Sequence, residues 1–324
     1  MKAIQAHEFG GPEVLQLDEI DAPTAGAGEV LIDVRAVGVN PADTYMLGGA
    51  YAIVPELPYT PGGDAAGVVL AVGDGVTSCK PGDRVFVGTV MGFNMTGCYA
   101  EQVVRPAADV VGLPDNVPFA AGAALGIPYA TAHYGLFARG GATAGETVFI
   151  HGGSVAVGTA AIQLAKRAGL TVIGSGGSAR GRQLILDQGA DHAVDHAAEG
   201  YTDQIREITN GTGPTLLLEM LANVNLATDL DLIAKYGRII IIGNRGEVTI
   251  NPRMMMMKEL DVRGLALFNG SPSEMENITS DLLAGLADGS LNPVIGTEMA
   301  LAEAAESHRA VMKPGAFGKI ILLP

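Results

Sequence analysis

From residue 152 to 158 the chain reads Gly152, Gly153, Ser154, Val155, Ala156, Val157, Gly158. The run follows the apolar "TVFIH" and precedes "TAAIQLAKRAG", a pattern that predicts a buried strand, a glycine turn and a helix. Such a turn brings an anion to the start of the helix, where unpaired backbone N–H groups and the helix dipole favour phosphate oxygens. Glycine lets the backbone come close. Val155 and Ala156 stand where such loops usually carry glycine. A β-branched residue resists positive φ, so a left-handed Val155 would cost about 1 kcal/mol or more. The loop is therefore expected to hold a pyrophosphate weakly, and Val155→Gly with Ala156→Gly to tighten binding about tenfold. Some 20 residues on, where Asp or Glu would take a ribose 2′-hydroxyl, stands "GSGGSARGR" (174–182). It holds no carboxylate, and Ser178, Arg180 and Arg182 suit a 2′-phosphate instead, by hydrogen bonds and bidentate charge pairing.

These groups need a frame. The 324 residues suffice for two domains. Up to about residue 120 the sequence is short strand-like runs broken by Gly and Pro, "EVLIDVRAVGV", "AAGVVLAVG" and "DRVFVG" among them, and reads as all-β. From residue 146 strand-like and helical stretches alternate three times, and "TLLLEM" and "GRIIIIG" add strands on either side of the helical "NLATDLDLIAKY". Such alternation predicts a parallel sheet covered on both faces. Two more helical stretches, "ENITSDLLAGLADG" and "LAEAAESHRAVM", lead to a last strand, "GKIILLP". "MMMM" (254–257) reads as gap filling in a core.

Composition removes several classes of function. With 35 acidic and 20 basic residues the net charge is −15, which disfavours nucleic acid and acidic lipid. The uncharged run 117–138 has membrane-spanning length, but Pro118, Pro128 and His133 predict burial inside the protein. Cys79 and Cys98 are the only cysteines, too few for a disulfide framework, and with no secretory signal a cytoplasmic setting is expected.

"GVNPADTY" (38–45), "PGGDAAGVV" (61–69), "GCYAEQVV" (97–104), "EMLANVNLATDL" (219–230), "GNRGEVTINPR" (243–253) and the closing "GAFGKIIL" resemble, in order and over nearly the whole chain, one family. It is the zinc-independent quinone oxidoreductases of the medium-chain dehydrogenase/reductase superfamily, zeta-crystallin branch. The resemblance implies an α/β protein: a GroES-like β catalytic domain (1–122), a Rossmann domain with a doubly wound parallel sheet (123–262), and a C-terminal segment (263–324) returning to the first domain. It implies NADPH in the cleft between the domains, and a homodimer, tetramers also being common. Beside Gly153, Ser154, Val155, Ala156, Val157 and Gly158, it places Tyr45, Gly177, His196, Asn225, Gly243, Asn244, Arg245, Leu267, Phe268 and Asn269 along the cofactor.

The zinc-holding branch of the superfamily carries its ligands at places that here read Asn40 to Asp43, Gly62-Gly63-Asp64, and about Ile127. Thiolate and imidazole are missing, so no metal is expected. What remains is delivery of reducing equivalents from a nicotinamide to an acceptor that is already electrophilic. Asn40, Tyr45 and Tyr51 are the candidates to line the substrate side, since amide and hydroxyl groups can meet a carbonyl oxygen as charge develops; Asn40 before proline also suits a plain turn. The segments 45–60 and 89–97 are expected to wall an apolar pocket for a planar acceptor. An NADPH-dependent quinone oxidoreductase is the first reading. Reduction of enones or other activated double bonds is the second, and a non-catalytic structural or RNA-binding relative the third.

Overall fold

The computed structural model describes residues 1–88 and 97–324, so the expected pocket wall at 89–96 lies outside the described residues. Strands β1 (Lys2–Ala6), β2 (Leu15–Glu19) and β3 (Glu29–Val39) lead to helix α1 (Pro41–Leu47). Strands β4 (Asp64–Val72), β5 (Arg84–Val87), β6 (Gln102–Pro106) and β7 (Val110–Gly112) precede helices α2 (Phe119–Gly122) and α3 (Gly126–His133). Alternation begins with β8 (Thr147–Ile150), α4 (Ala156–Arg167), β9 (Thr171–Ser175), α5 (Ala179–Asp187), β10 (His192–Val194) and α6 (Tyr201–Ile208). It continues with β11 (Leu216–Glu219), α7 (Ala222–Leu232), β12 (Arg238–Ile241), α8 (Pro252–Lys258) and β13 (Asp261–Gly264). Helix α9 (Pro272–Ala287), strand β14 (Ile295–Ala300), helix α10 (Ala304–Met312) and strand β15 (Lys319–Leu323) complete the chain.

Two compact units result, one of residues 1–130 with 271–324 and one of residues 131–270. The domain boundaries expected at 122 and 262 lie eight residues earlier. The first shift has a packing cause: a Cβ on Gly122 would touch Ala66 and Leu113, and Ile127 N–H donates to Asp64, so this stretch is built into the β unit. The second reflects β13, a sixth strand of the parallel sheet that the sequence reading did not name.

In the first unit the main sheet runs β14-β15-β3-β4-β5-β7, with β6 also on β3. Val30, Ile32 and Val34 of β3 point to one face, as a period of two requires, and pack with Val69, Val85 and Leu322 in its core. The last strand lies beside β3, Ile321 opposite Gly38. Helices α1 and α2 interrupt the stretch expected to be all-β.

The second unit is a sheet of six parallel strands, β10-β9-β8-β11-β12-β13, a doubly wound arrangement whose direction reverses at β8. Its core gathers Phe149, Ile173, Leu217 and Ile239 from the strands with Leu226 and Leu230 of α7. The methionine run forms part of α8, and helical geometry splits it: Met254 and Met255 pack on this core, while Met256 and Met257 are each 72% exposed. The core reading thus fails for half the run. No helix among the described residues is long and apolar enough to cross a membrane; the run 117–138 is used for α2, α3 and a mostly buried turn.

Candidate functional site

Because the six strands run one way, their carboxyl ends share an edge, and the cofactor residues expected in this unit fall just past those ends. The 152–158 loop follows β8, Gly177 and Ser178 follow β9, and His196 follows β10. Asn225 lies in α7 after β11; Gly243, Asn244 and Arg245 follow β12; Leu267, Phe268 and Asn269 form a single helical turn after β13. Tyr45 belongs to the other unit.

The phosphate loop is built around its glycines. Gly152 is the left-handed residue, at φ 59°. Val155 is extended (φ −85°, ψ 169°) and directly precedes α4. The expected strain at Val155 is therefore absent, because the turn places its positive φ three residues earlier. A Cβ on Gly158 would lie 2.1 Å from the Gly152 carbonyl oxygen and 2.7 Å from Gly153 Cα, so α4 rests directly on the loop backbone. The free N–H groups of the first turn of α4 thus remain a suitable seat for a pyrophosphate.

At the next strand end Ser178 caps α5, its hydroxyl accepting from Gly181 N–H at 3.0 Å. Ser178 and Arg180 are exposed. Arg182 is engaged within the protein, donating to Asp195 at 2.7 Å and to the Gly176 carbonyl at 3.2 Å. Its charge is thus neutralised locally. His196 stands beside Gly177, where a Cβ would come within 2.9 Å of its Nε2. Arg245 N–H donates to Asn223 Oδ1 at 3.0 Å and the Asn244 amide to the Gly246 carbonyl at 2.7 Å, which fixes the loop after β12.

Beneath this edge lies a buried polar group that the sequence reading did not single out. His151 Nε2 is 2.8 Å from Asp229 Oδ1 and 3.2 Å from Glu219 Oε2. Glu219 also accepts from Leu221 N–H and from the Asn225 amide, at 3.1 Å in the latter case. Burial pushes both carboxyl groups up and the His151 imidazole down. The three ligating atoms lie within 4.8 Å of one another, a metal-ligand set by type. The His151–Asp229 hydrogen bond, and those that Glu219 accepts from Leu221 N–H just before α7 and from the Asn225 amide, make the group a support for Asn225. A carboxylate closing an apolar strand, in "TLLLEM", was the available signal.

In the first unit, α1 starts with Pro at its first position, and Asn40 N–H donates to Asp43 Oδ2 at 2.8 Å. The Asn40 side chain faces inward, 3% exposed: its amide donates to Asp64 Oδ2 at 2.9 Å and its carbonyl oxygen accepts from Lys319 Nζ at 2.6 Å. Both ends are used, so the expected contact of Asn40 with a substrate carbonyl is replaced by a buried role. Lys319 also donates to Asp64 Oδ2 at 2.8 Å, and Asp64 Oδ1 takes Ile127 N–H at 2.7 Å. Asp43 further accepts from the Tyr99 hydroxyl at 3.0 Å, which lies 3.2 Å from His308 Nε2. Tyr45 and Tyr51 are half-buried neighbours with ring centroids 6.1 Å apart, so the structure does bring these two candidates together. Cys98 is buried against Arg105, and Cys79 is half-buried; both are free thiols.

Two family models match the chain: the alcohol dehydrogenase GroES-like domain over residues 26–115 and the zinc-binding dehydrogenase over residues 156–285. The quinone oxidoreductases of Rattus norvegicus and Homo sapiens are each 43% identical to it, over 100% of this chain and 98% of theirs. The chain belongs to the quinone oxidoreductase family of the medium-chain dehydrogenases/reductases. Among solved structures, an Escherichia coli quinone oxidoreductase complexed with NADPH superposes with a TM-score of 0.89 at 28% identity, covering 100% of both chains. The GroES-like and Rossmann parts expected from the motifs are thus both present in a quinone oxidoreductase fold.

Proposed function

We propose that this chain is an NADPH-dependent quinone oxidoreductase that passes reducing equivalents to a small apolar quinone without a metal. The observation that carries the reading is the shared strand edge of the Rossmann unit, where a glycine-built loop meets the start of α4, within a chain alike over its full length to quinone oxidoreductases. NADPH, when bound, supplies the reducing equivalents. The chain's own groups bind and orient it. The first turn of α4 would hold the pyrophosphate, with Gly152 and Gly158 keeping the backbone close, and Ser178 and Arg180 would take the 2′-phosphate. Asn225, held by Glu219, would present the remainder of its amide, and Tyr45 and Tyr51 would donate hydroxyl hydrogen bonds toward the acceptor oxygen. A homodimer and a cytoplasmic setting belong to the same reading, supported by the family resemblance and by two free cysteines.

The zinc named in one of the matching family models does not suit the residues present. Position 40 offers an amide that is already hydrogen-bonded, position 63 a glycine and position 127 an isoleucine, while of the carboxylates nearby Asp64 is paired with Lys319 and Asp43 accepts from Asn40 N–H and the Tyr99 hydroxyl. The test is turnover: purified protein with EDTA present is expected to oxidise NADPH when given ortho- or para-quinones. Absence of turnover across a varied quinone panel, with no NADPH binding by calorimetry, overturns the reading. An enone preferred over every quinone by orders of magnitude in kcat/KM would transfer it to alkene reduction.

A further inference from the structure

Three places in the sequence lack metal ligands, and the fold brings their surroundings to one buried cation. Lys319 is 1% exposed, Asp64 0% and Asn40 3%. The Lys319 ammonium touches Asn40 Oδ1 and Asp64 Oδ2, and the second oxygen of that carboxylate holds the backbone of Ile127. Residues 40 and 127, with the 62–64 turn, thus converge on a charge supplied by the last strand. The lysine stem reaches them across β3 at Gly38, where a Cβ would strike Lys319 Cε at 2.6 Å and the Ala123 carbonyl at 2.1 Å. The passage exists only because residue 38 has no side chain.

We propose that the Lys319 ammonium is a tethered replacement for a metal cation, occupying the space that ligands at 40, 63 and 127 would surround and so barring a divalent ion from it. This rests on the metal-free part of the function proposed above, but not on the choice of acceptor. A nearby positive charge offsets the cost of burying a carboxylate, and a lysine supplies one with no dependence on metal supply. The paired Asp64 and the hydrogen-bonded Asn40 are in turn the fixed points from which α1 starts, and α1 carries Tyr45.

The experiment uses the full chain and cobalt(II) as the probe, so that failure of quinone turnover does not bear on it. Asn40→Cys, Gly63→His and Ile127→Cys are introduced together, with Lys319 kept or with Lys319→Ala added. The chain with Lys319→Ala is expected to take one cobalt ion, with visible bands of a tetrahedral site and thiolate charge transfer. The chain that keeps Lys319 is expected to bind at least 100-fold more weakly. Equal binding in both, or none in the folded Lys319→Ala chain, overturns the proposal. If circular dichroism shows these chains unfolded, Asn40→Cys alone and Asn40→Cys with Lys319→Ala decide the matter by thiolate absorbance. A thiol beside the ammonium is expected to give a thiolate-to-thiol ratio at pH 7 at least tenfold larger than one without it. Equal ratios overturn the assignment.

Discussion

Gly158→Ala is the most exacting test of how the nucleotide loop is held. The new Cβ would sit 2.1 Å from the Gly152 carbonyl oxygen, 2.7 Å from Gly153 Cα and 2.8 Å from Gly153 C. Carbon and oxygen ordinarily approach no closer than about 3.3 Å, so the loop or α4 must retreat by about 1 Å. All three neighbours are backbone, and no rotamer change can relieve the overlap. Overpacking of this kind costs about 1–3 kcal/mol. A loop displaced by about 1 Å presents its N–H groups out of register with a pyrophosphate, and NADPH affinity is expected to fall about tenfold to a hundredfold. Calorimetric titration measures the affinity, and thermal denaturation measures the stability. Val155→Gly with Ala156→Gly is the control: Val155 is extended, so no strain awaits release and the affinity is expected to change by less than about threefold. Unchanged stability and affinity in Gly158→Ala would refute the view that contact between α4 and the loop sets the site. A tenfold gain in the control would restore the strain argument.

Three further outcomes follow from side chains elsewhere in the molecule. Burial pushes the Asp43 carboxyl from its ordinary 3.8 up to about 7, against the pull of Asn40 N–H, Lys319 and Tyr99. The folded state therefore binds more protons than the unfolded state between those values, and this group's contribution to stability is lost as pH rises through about 7. Asp43→Asn is expected to gain stability relative to wild type as pH is raised from about 4 to about 7 in parallel urea titrations. Buried His308, held at about 4, acts in the opposite direction. Glu219→Ala leaves the Leu221 N–H and the Asn225 amide without their acceptor, a loss of about 1–3 kcal/mol by denaturant unfolding, whereas Glu219→Gln is expected to keep most of it. Tyr51→Phe is expected to lower quinone kcat/KM about tenfold, with NADPH affinity unchanged by calorimetry.

The strand and helix rhythm of the Rossmann unit was legible because buried strands read as continuous apolar runs and the turns between them are marked by glycine. Helix α1 was not, since its seven residues lie in a stretch otherwise made of strands. β13 escaped for a related reason: "DVRG" carries two charges in four residues and looks like a loop until it pairs with β12. The conformation of Val155 is decided by hydrogen bonds from Val155 N–H to Gly152 O and from Gly153 N–H to Ser175 O, the second to another strand, which a local pattern cannot express. Lys319 was visible only as part of a closing motif. A lysine in a strand is ordinarily a solvated edge residue, and only the register of β15 on β3 turns it toward Asp64.

That register also orders the birth of the molecule. β15 lies between β14 and β3, so this side of the first unit's sheet waits for a strand that is made after the whole 131–270 unit. The continuous 131–270 unit has all six of its strands long before then. Until the final strand docks, nascent β3 has an open flank toward residues 37–39, and Asp64 has no counter-charge. Between those two events the first unit's sheet is open, the form in which an unpaired strand edge recruits other chains. One small segment closes the edge and neutralises the carboxylate in the same event.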